Sequence, residues 1–258
     1  MKVVILAGGM GSRISEESRF KPKPMIEIGE KPILWHIMKL YSFFGYNDFI
    51  ICCGYKGYMI KDYFVHYYMY QTESTFDLGA DRTQIGHSKA EPWKVTLVNT
   101  GLHTLTAGRL LKVKEYIGED ENFMLTYGDG VANVSIPALL DFHWKHGKIA
   151  TLTTTQPAGR FGTLRIGTDG RIEQFKEKAR KDQSWVNAGF MVLNREVFDY
   201  LGDGSEMLED GPFEALVRRG ELAAYRHNGF WAPMDTMREH DDLEALWKSG
   251  QAPWKIWQ

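Results

Sequence analysis

An apolar run that stops abruptly in glycine is the feature that most restricts this chain: VVILAGGMGSR, at positions 3–13. Residues 3–6 are short, β-branched and apolar, the pattern of a strand buried on both faces, as in parallel sheets covered by helices. Gly8, Gly9 and Gly11 then remove each Cβ that would hold a ligand away from the main chain. Successive exposed N–H groups closed by a cation, here Arg13, make a cradle for phosphate. A tight strand-to-helix turn without a ligand is the alternative. Two familiar phosphate loops do not fit. No lysine follows Gly11, as the P-loop requires, and Ile14 stands where the dinucleotide fingerprint needs a third small residue.

Strand-like and helix-like segments alternate after this start, which predicts βαβ units and a largely parallel sheet. Strands are expected at 48–53, 94–98 and 122–129, the last ending in glycine and aspartate. Helices are expected over 31–45, with Pro32 in the first turn and Gly45 at the end, and over 56–68 and 107–117. Ser135 should cap a further helix running to 146. Residues 71–92 show no clear period and read as a long excursion or lid. The second half is mixed: strands at 149–156 and 185–194, a hairpin over 162–175 turning at Thr168-Asp169-Gly170, and helices at 213–220 and 238–250. No repeat or linker interrupts the pattern. A single domain over 1–258 is expected, with residues 1–130 forming one half and 131–258 the other.

The net charge of −2 gives no general attraction for nucleic acid or an anionic membrane, so positive charge for a ligand must be local. Cys52 and Cys53 are adjacent within an apolar run and read as core residues of a reducing compartment. No leader or spanning segment is recognisable, and a soluble cytoplasmic protein is expected.

Local charge gathers at a few places. Lys21 and Lys23 lie between prolines that hold the segment extended, so their ammonium groups can be aimed with little entropy lost; a solvated loop is the alternative. Asp129, between Gly128 and Gly130, suits a metal ligand or an Asp-Gly turn. Asp235, in GFWAPMDTM, suits a ligand or a helix cap. Two such aspartates can converge on one Mg²⁺, which takes carboxylates together with substrate phosphates. Trp35 and His36 fall within an amphipathic helix and read as packing residues. The eight histidines show no metal-ligand spacing, and no serine or cysteine nucleophile motif is present.

Taken together, LAGGMGSRI, KPKPMIEIGEKPILWHIM, YGDGVA, FKEK, VNAGFMVL and FWAPMDT resemble, in order and over essentially the whole chain, the sugar-phosphate nucleotidylyltransferases. CCGYKG, AEPWKVTLV and SGQAPWKIW are similar to the branch of that family that acts on CTP and glucose 1-phosphate. The resemblance implies a Rossmann-like α/β fold: a mixed, mostly parallel sheet flanked by helices, with a smaller β-rich sugar-binding part. It implies Mg²⁺-dependent formation of CDP-glucose and pyrophosphate, for dideoxysugar and O-antigen synthesis, by a homo-oligomer with a hexamer as its expected size. Use of UTP or dTTP, or a non-catalytic nucleotide-sugar-binding role, are the alternatives.

By the same resemblance, Leu6, Ala7, Gly8, Gly9 and Met10 surround the base and ribose, and Gly11, Ser12 and Arg13 hold the triphosphate. Lys23 neutralises charge near the α-phosphate, and Gly128, Thr104 and Arg109 contact the nucleotide. Asp129 and Asp235 hold Mg²⁺, while Glu177, Lys178 and Asn187 hold the sugar phosphate. Ser12, Ile14, Ala107, Ala179 and Ala188 depart from the family pattern, and the missing proline at 179 bears on the aim of Lys178.

Overall fold

Val3, Ile5 and Ala7 point to one side of the central sheet and Val4 and Leu6 to the other, and all five are buried. That double burial is why the run shows no polar alternation. The computed structural model describes residues 1–11, 14–157, 163–166, 172–176 and 185–257. Among these, seven strands form the central sheet: β1 (Val3–Ala7), β2 (Asp48–Cys53), β3 (Lys94–Asn99), β4 (Asn122–Tyr127), β5 (Ala150–Thr155), β6 (Val186–Asn194) and β7 (Leu222–Arg226). Their order is β7-β5-β6-β4-β1-β2-β3. All are parallel except β6, which pairs antiparallel with both β4 and β5.

Six principal helices cover the sheet: α1 (Ile33–Phe43), α2 (Gly57–Tyr70), α3 (Thr106–Lys112), α4 (Ile136–His146), α5 (Pro212–Arg219) and α6 (Met237–Lys248). Buried residues of α1, α2, α4 and α6 share one core with Val3 and Ile5, and α3 and α5 share the other with Val4 and Leu6. Burying one such aliphatic side chain contributes about 1.5–3 kcal/mol. No described helix is long and apolar enough to cross a membrane. Cys52 and Cys53 are free and buried, and burial pushes their thiols up to about 12 and about 11.

His36 lies within a cage of indoles. Its ring contacts Trp35, Trp247, Trp254 and Trp257, so the C-terminal segment is clasped onto α1. Trp254 Nε1 donates to Nδ1 at 3.3 Å, which leaves Nε2 as the protonated nitrogen, donating to the Ile28 carbonyl at 2.8 Å. Burial lowers the His36 pKa to about 4.

Three expectations change, and a fourth is met except at its turn. Residues 71–92 hold an antiparallel hairpin, Thr72–Asp77 with Arg82–Ser88, where an excursion or lid was expected; nearly every residue in it is exposed, so no burial imprints an alternating pattern. The helix expected over 107–117 starts at Thr106 and breaks at Val113, where the backbone leaves helical geometry before Lys114–Ile117. Pro32 precedes α1 as its extended N-cap residue and is not in the first turn. Strands Thr163–Ile166 and Ile172–Lys176 form the expected hairpin, but its turn at Thr168-Asp169-Gly170 lies outside the described residues.

Candidate active site

The strand ends explain the glycines. Gly8, Gly54 and Gly128 directly follow β1, β2 and β4, at one edge of the sheet. A Cβ on Gly8 would lie 2.0 Å from Arg109 Nη1, and one on Gly54 would lie 2.4 Å from the Gly8 carbonyl oxygen. Neither position has room for a side chain. Arg109, on α3, is buried and ties these ends together. Its Nη2 donates to the carbonyls of Gly8 at 2.9 Å and Leu102 at 3.3 Å, and its Nη1 to Thr100 Oγ1 at 2.6 Å and the Gly101 carbonyl at 2.9 Å. Burial lowers its pKa from the usual arginine value.

Asp129 and Asp235 meet through a very short ladder. Gly130–Ala132 pairs antiparallel with Trp231–Pro233, and Met234 N donates to the Asp129 carbonyl at 2.9 Å, so residue 235 is delivered beside residue 129. Thr236, rather than Asp235, caps α6 in a capping box with Glu239, whose Oε2 also accepts from Asp235 N at 2.8 Å. The Asp235 backbone is therefore held by the helix start while its carboxylate faces elsewhere.

Both carboxylates face Lys23. Its Nζ donates to Asp129 Oδ2 at 2.7 Å and to Asp235 Oδ1 at 2.6 Å. Burial works to lower the Lys23 pKa, but the two carboxylates outweigh it and hold the group above the usual lysine value. Pro22 and Pro24 flank it at a short 3-10 turn, Lys23–Met25, which fixes the direction of the stem. Lys21, two residues away, turns outward to Glu27 Oε1 at 2.6 Å and is exposed.

These groups surround a cleft of about 450 Å³. Leu6, Ala7, Gly8, Gly9, Met10 and Gly11 line it, together with Lys23, Thr104, Arg109, Gly128, Asp129 and Asp235. A Cβ on Gly9 would meet nothing within 4 Å, and Gly11 has a φ of +63°, a left-handed conformation that suits glycine. Thr104 Oγ1 donates to the Thr100 carbonyl at 2.6 Å. Asn187, at the start of β6, does not itself line the cleft but touches a residue that does, donating through Nδ2 to the Tyr127 hydroxyl at 3.4 Å. Ser12, Arg13, Glu177 and Lys178 lie outside the described residues.

Sequence reasoning missed several walls of the cleft. Leu102, Leu105 and Met207 give it an apolar rim, and Tyr127 closes the side next to Asp129. Tyr127 stood in plain view within YGDG, whereas nothing periodic marks Met207. Among the described residues no cluster of three or more histidine, cysteine, aspartate or glutamate side chains could hold a metal unaided. Asp129 and Asp235 nonetheless present two oxygens to one positive charge, the donor set of a Mg²⁺ that borrows its other ligands from substrate.

Comparison with known proteins bears on family and fold. Residues 2–238 match the family model described as nucleotidyl transferase. The chain is 54% identical, over 100% of both chains, to proteins named glucose-1-phosphate cytidylyltransferase from Salmonella typhimurium and Salmonella typhi. A solved UDP-glucose pyrophosphorylase complexed with UDP-glucose shares the fold, with a TM-score of 0.67 at 18% identity over 96% of this chain and 98% of that one.

Proposed function

Since this chain belongs to the nucleotidyl transferase family, we propose that it transfers a cytidylyl group from CTP to α-D-glucose 1-phosphate, giving CDP-glucose and pyrophosphate. The observation that carries this reading is the Lys23 ammonium held between Asp129 and Asp235 at the end of a glycine-lined cleft. The full-length likeness to cytidylyltransferases favours CTP as the donor.

In the reaction, an oxygen of the sugar phosphate forms a bond to the α-phosphorus while the bond from that phosphorus to the β-phosphate bridging oxygen breaks. The electron pair leaves with pyrophosphate. The nucleophile is already an anion, so no general base is needed. The protein must align two phosphates that repel each other and stabilise the charge that spreads during transfer. Gly9, where a Cβ would meet nothing within 4 Å, leaves the backbone open to the nucleotide, whereas the space beside Gly8 is taken by Arg109. Lys23 brings a fixed positive charge, and Arg109 keeps the loops that frame the nucleotide in register. Asn187, with Glu177 and Lys178, holds the sugar phosphate, and Arg13 closes the triphosphate loop. Asp129 and Asp235 would hold Mg²⁺, which when bound supplies further neutralisation of phosphate charge.

The chain would work in the cytoplasm as a homo-oligomer, up to a hexamer. The exposed Phe76, Leu78 and Ile85 on the hairpin from Thr72 to Ser88 are consistent with assembly, because an isolated two-stranded hairpin is marginal in water. CDP-glucose would supply dideoxysugar and O-antigen synthesis.

A comparison of the four ribonucleoside triphosphates and dTTP, each with glucose 1-phosphate and Mg²⁺, tests the reading by pyrophosphate release. CTP should exceed the purine nucleotides by about ten- to a hundredfold in kcat/KM, because an unmatched buried polar group costs about 1–3 kcal/mol. Equal turnover with ATP or GTP would overturn it.

A further inference from the structure

A carboxylate beside a cleft meant for phosphates opposes binding unless its charge is used for something else, and Glu209 is such a group. It is half-buried in the segment between β6 and α5. Its Oε1 accepts the hydroxyl proton of Tyr127. Its Oε2 accepts from Thr106 Oγ1 at 3.3 Å, and that same hydroxyl accepts from Leu208 N at 2.7 Å. The carboxylate therefore joins the start of α3 to the end of β4, two walls of the cleft that belong to distant parts of the sequence.

The link continues to β6. With its proton committed to Glu209, the Tyr127 oxygen has only lone pairs left, and Asn187 Nδ2 donates to it at 3.4 Å. Asn187 Oδ1 is fixed in turn by Gly189 N at 2.9 Å, so the amide is pinned at both ends. The Tyr127 ring is also wedged: a Cβ on Gly189, where φ is +86°, would lie 2.6 Å from it.

We propose that Glu209 is a positioning residue for the sugar-phosphate side of the cleft, acting through Tyr127 on the amide of Asn187; this rests on the activity proposed above. Glu209 sets the direction of the phenol O–H, the phenol oxygen and Gly189 N together hold the amide, and its second N–H can then meet a sugar hydroxyl or phosphate oxygen. Without the carboxylate, the phenol can turn its proton toward Asn187, which leaves the amide held through Gly189 N alone.

Steady-state kinetics on Glu209→Ala, Tyr127→Phe and the double variant test this. Each single variant should raise KM for glucose 1-phosphate about tenfold, with KM for CTP changing about twofold at most. The double variant should be no worse than Tyr127→Phe alone, since both changes remove one linkage. Glu209→Gln keeps an oxygen that accepts the phenol proton and should recover most of the sugar-phosphate affinity. Two results overturn the proposal: unchanged KM for glucose 1-phosphate in the single variants, or equal rises in both KM values with additive losses and a lower Tm, which mark Glu209 as a structural brace. If the parent protein itself releases no pyrophosphate from CTP and glucose 1-phosphate, the activity falls first, and the inference falls with it.

Discussion

Arg109 donates through Nη2 to the carbonyl of Gly8 at 2.9 Å, and its guanidinium fills the space a Cβ at position 8 would need. The N–H groups of the arginine that the family resemblance assigns to the nucleotide thus go to backbone carbonyls and to Thr100 Oγ1. Gly8→Ala should displace the guanidinium from several of these bonds. A loss of about 2–4 kcal/mol in stability is expected, with weaker CTP binding. Urea unfolding and calorimetric titration of CTP check this. An alanine variant as stable as the parent would show that the guanidinium can move aside freely.

Asp129→Asn and Asp235→Asn should each lower kcat by about a hundredfold or more while leaving the fold intact. The substitutions are nearly isosteric but remove charge from a pair that shares one ammonium. Asparagine serves about as well as aspartate in a turn or cap, so those roles predict near-normal activity. Pyrophosphate release across a Mg²⁺ titration separates the two cases.

His36 should make folding stability depend on pH in a defined window. Above about 6.5, the ordinary histidine value, it is neutral in both folded and unfolded chains and contributes no slope. As pH falls from there toward about 4, the unfolded chain takes a proton that the caged imidazole refuses, so stability is lost. Below about 4 both states bind the proton and this contribution levels off. Across the window the loss amounts to about 3 kcal/mol. His36→Gln should be less stable at pH 7 but should lose less between pH 7 and pH 4.5. Parallel urea curves for the two proteins at both pH values would sink the assignment.

Much of the sheet was legible because β1, β2 and β4 are buried on both faces, and such runs have few other uses. The helices were legible wherever one face carried the apolar residues, as in α5, where Pro212, Phe213 and Leu216 are the buried residues. The hairpin beginning at Thr72 was not, because side chains exposed on both faces carry no period. Asp129 and Asp235 were visible as candidates, yet their meeting depends on a ladder of three residues a side, too short to leave a pattern. Glu209 left no signal at all. It lies in an aperiodic connection, and its partners Thr106 and Tyr127 are 103 and 82 residues away.

The reversed direction of β6 sets where this cleft can be redesigned. Chain leaving the ends of β1 and β4 runs directly into the cleft, so changes after those strands reshape it. For β6 the polarity is opposite: Asn187 stands at its beginning, while Asn194 pairs with Asn122 at the far edge of the sheet. A graft meant to alter which sugar is accepted should therefore enter ahead of Val186. A peptide tag or fused module inserted after Asn194 would emerge on the opposite rim and leave selectivity untouched.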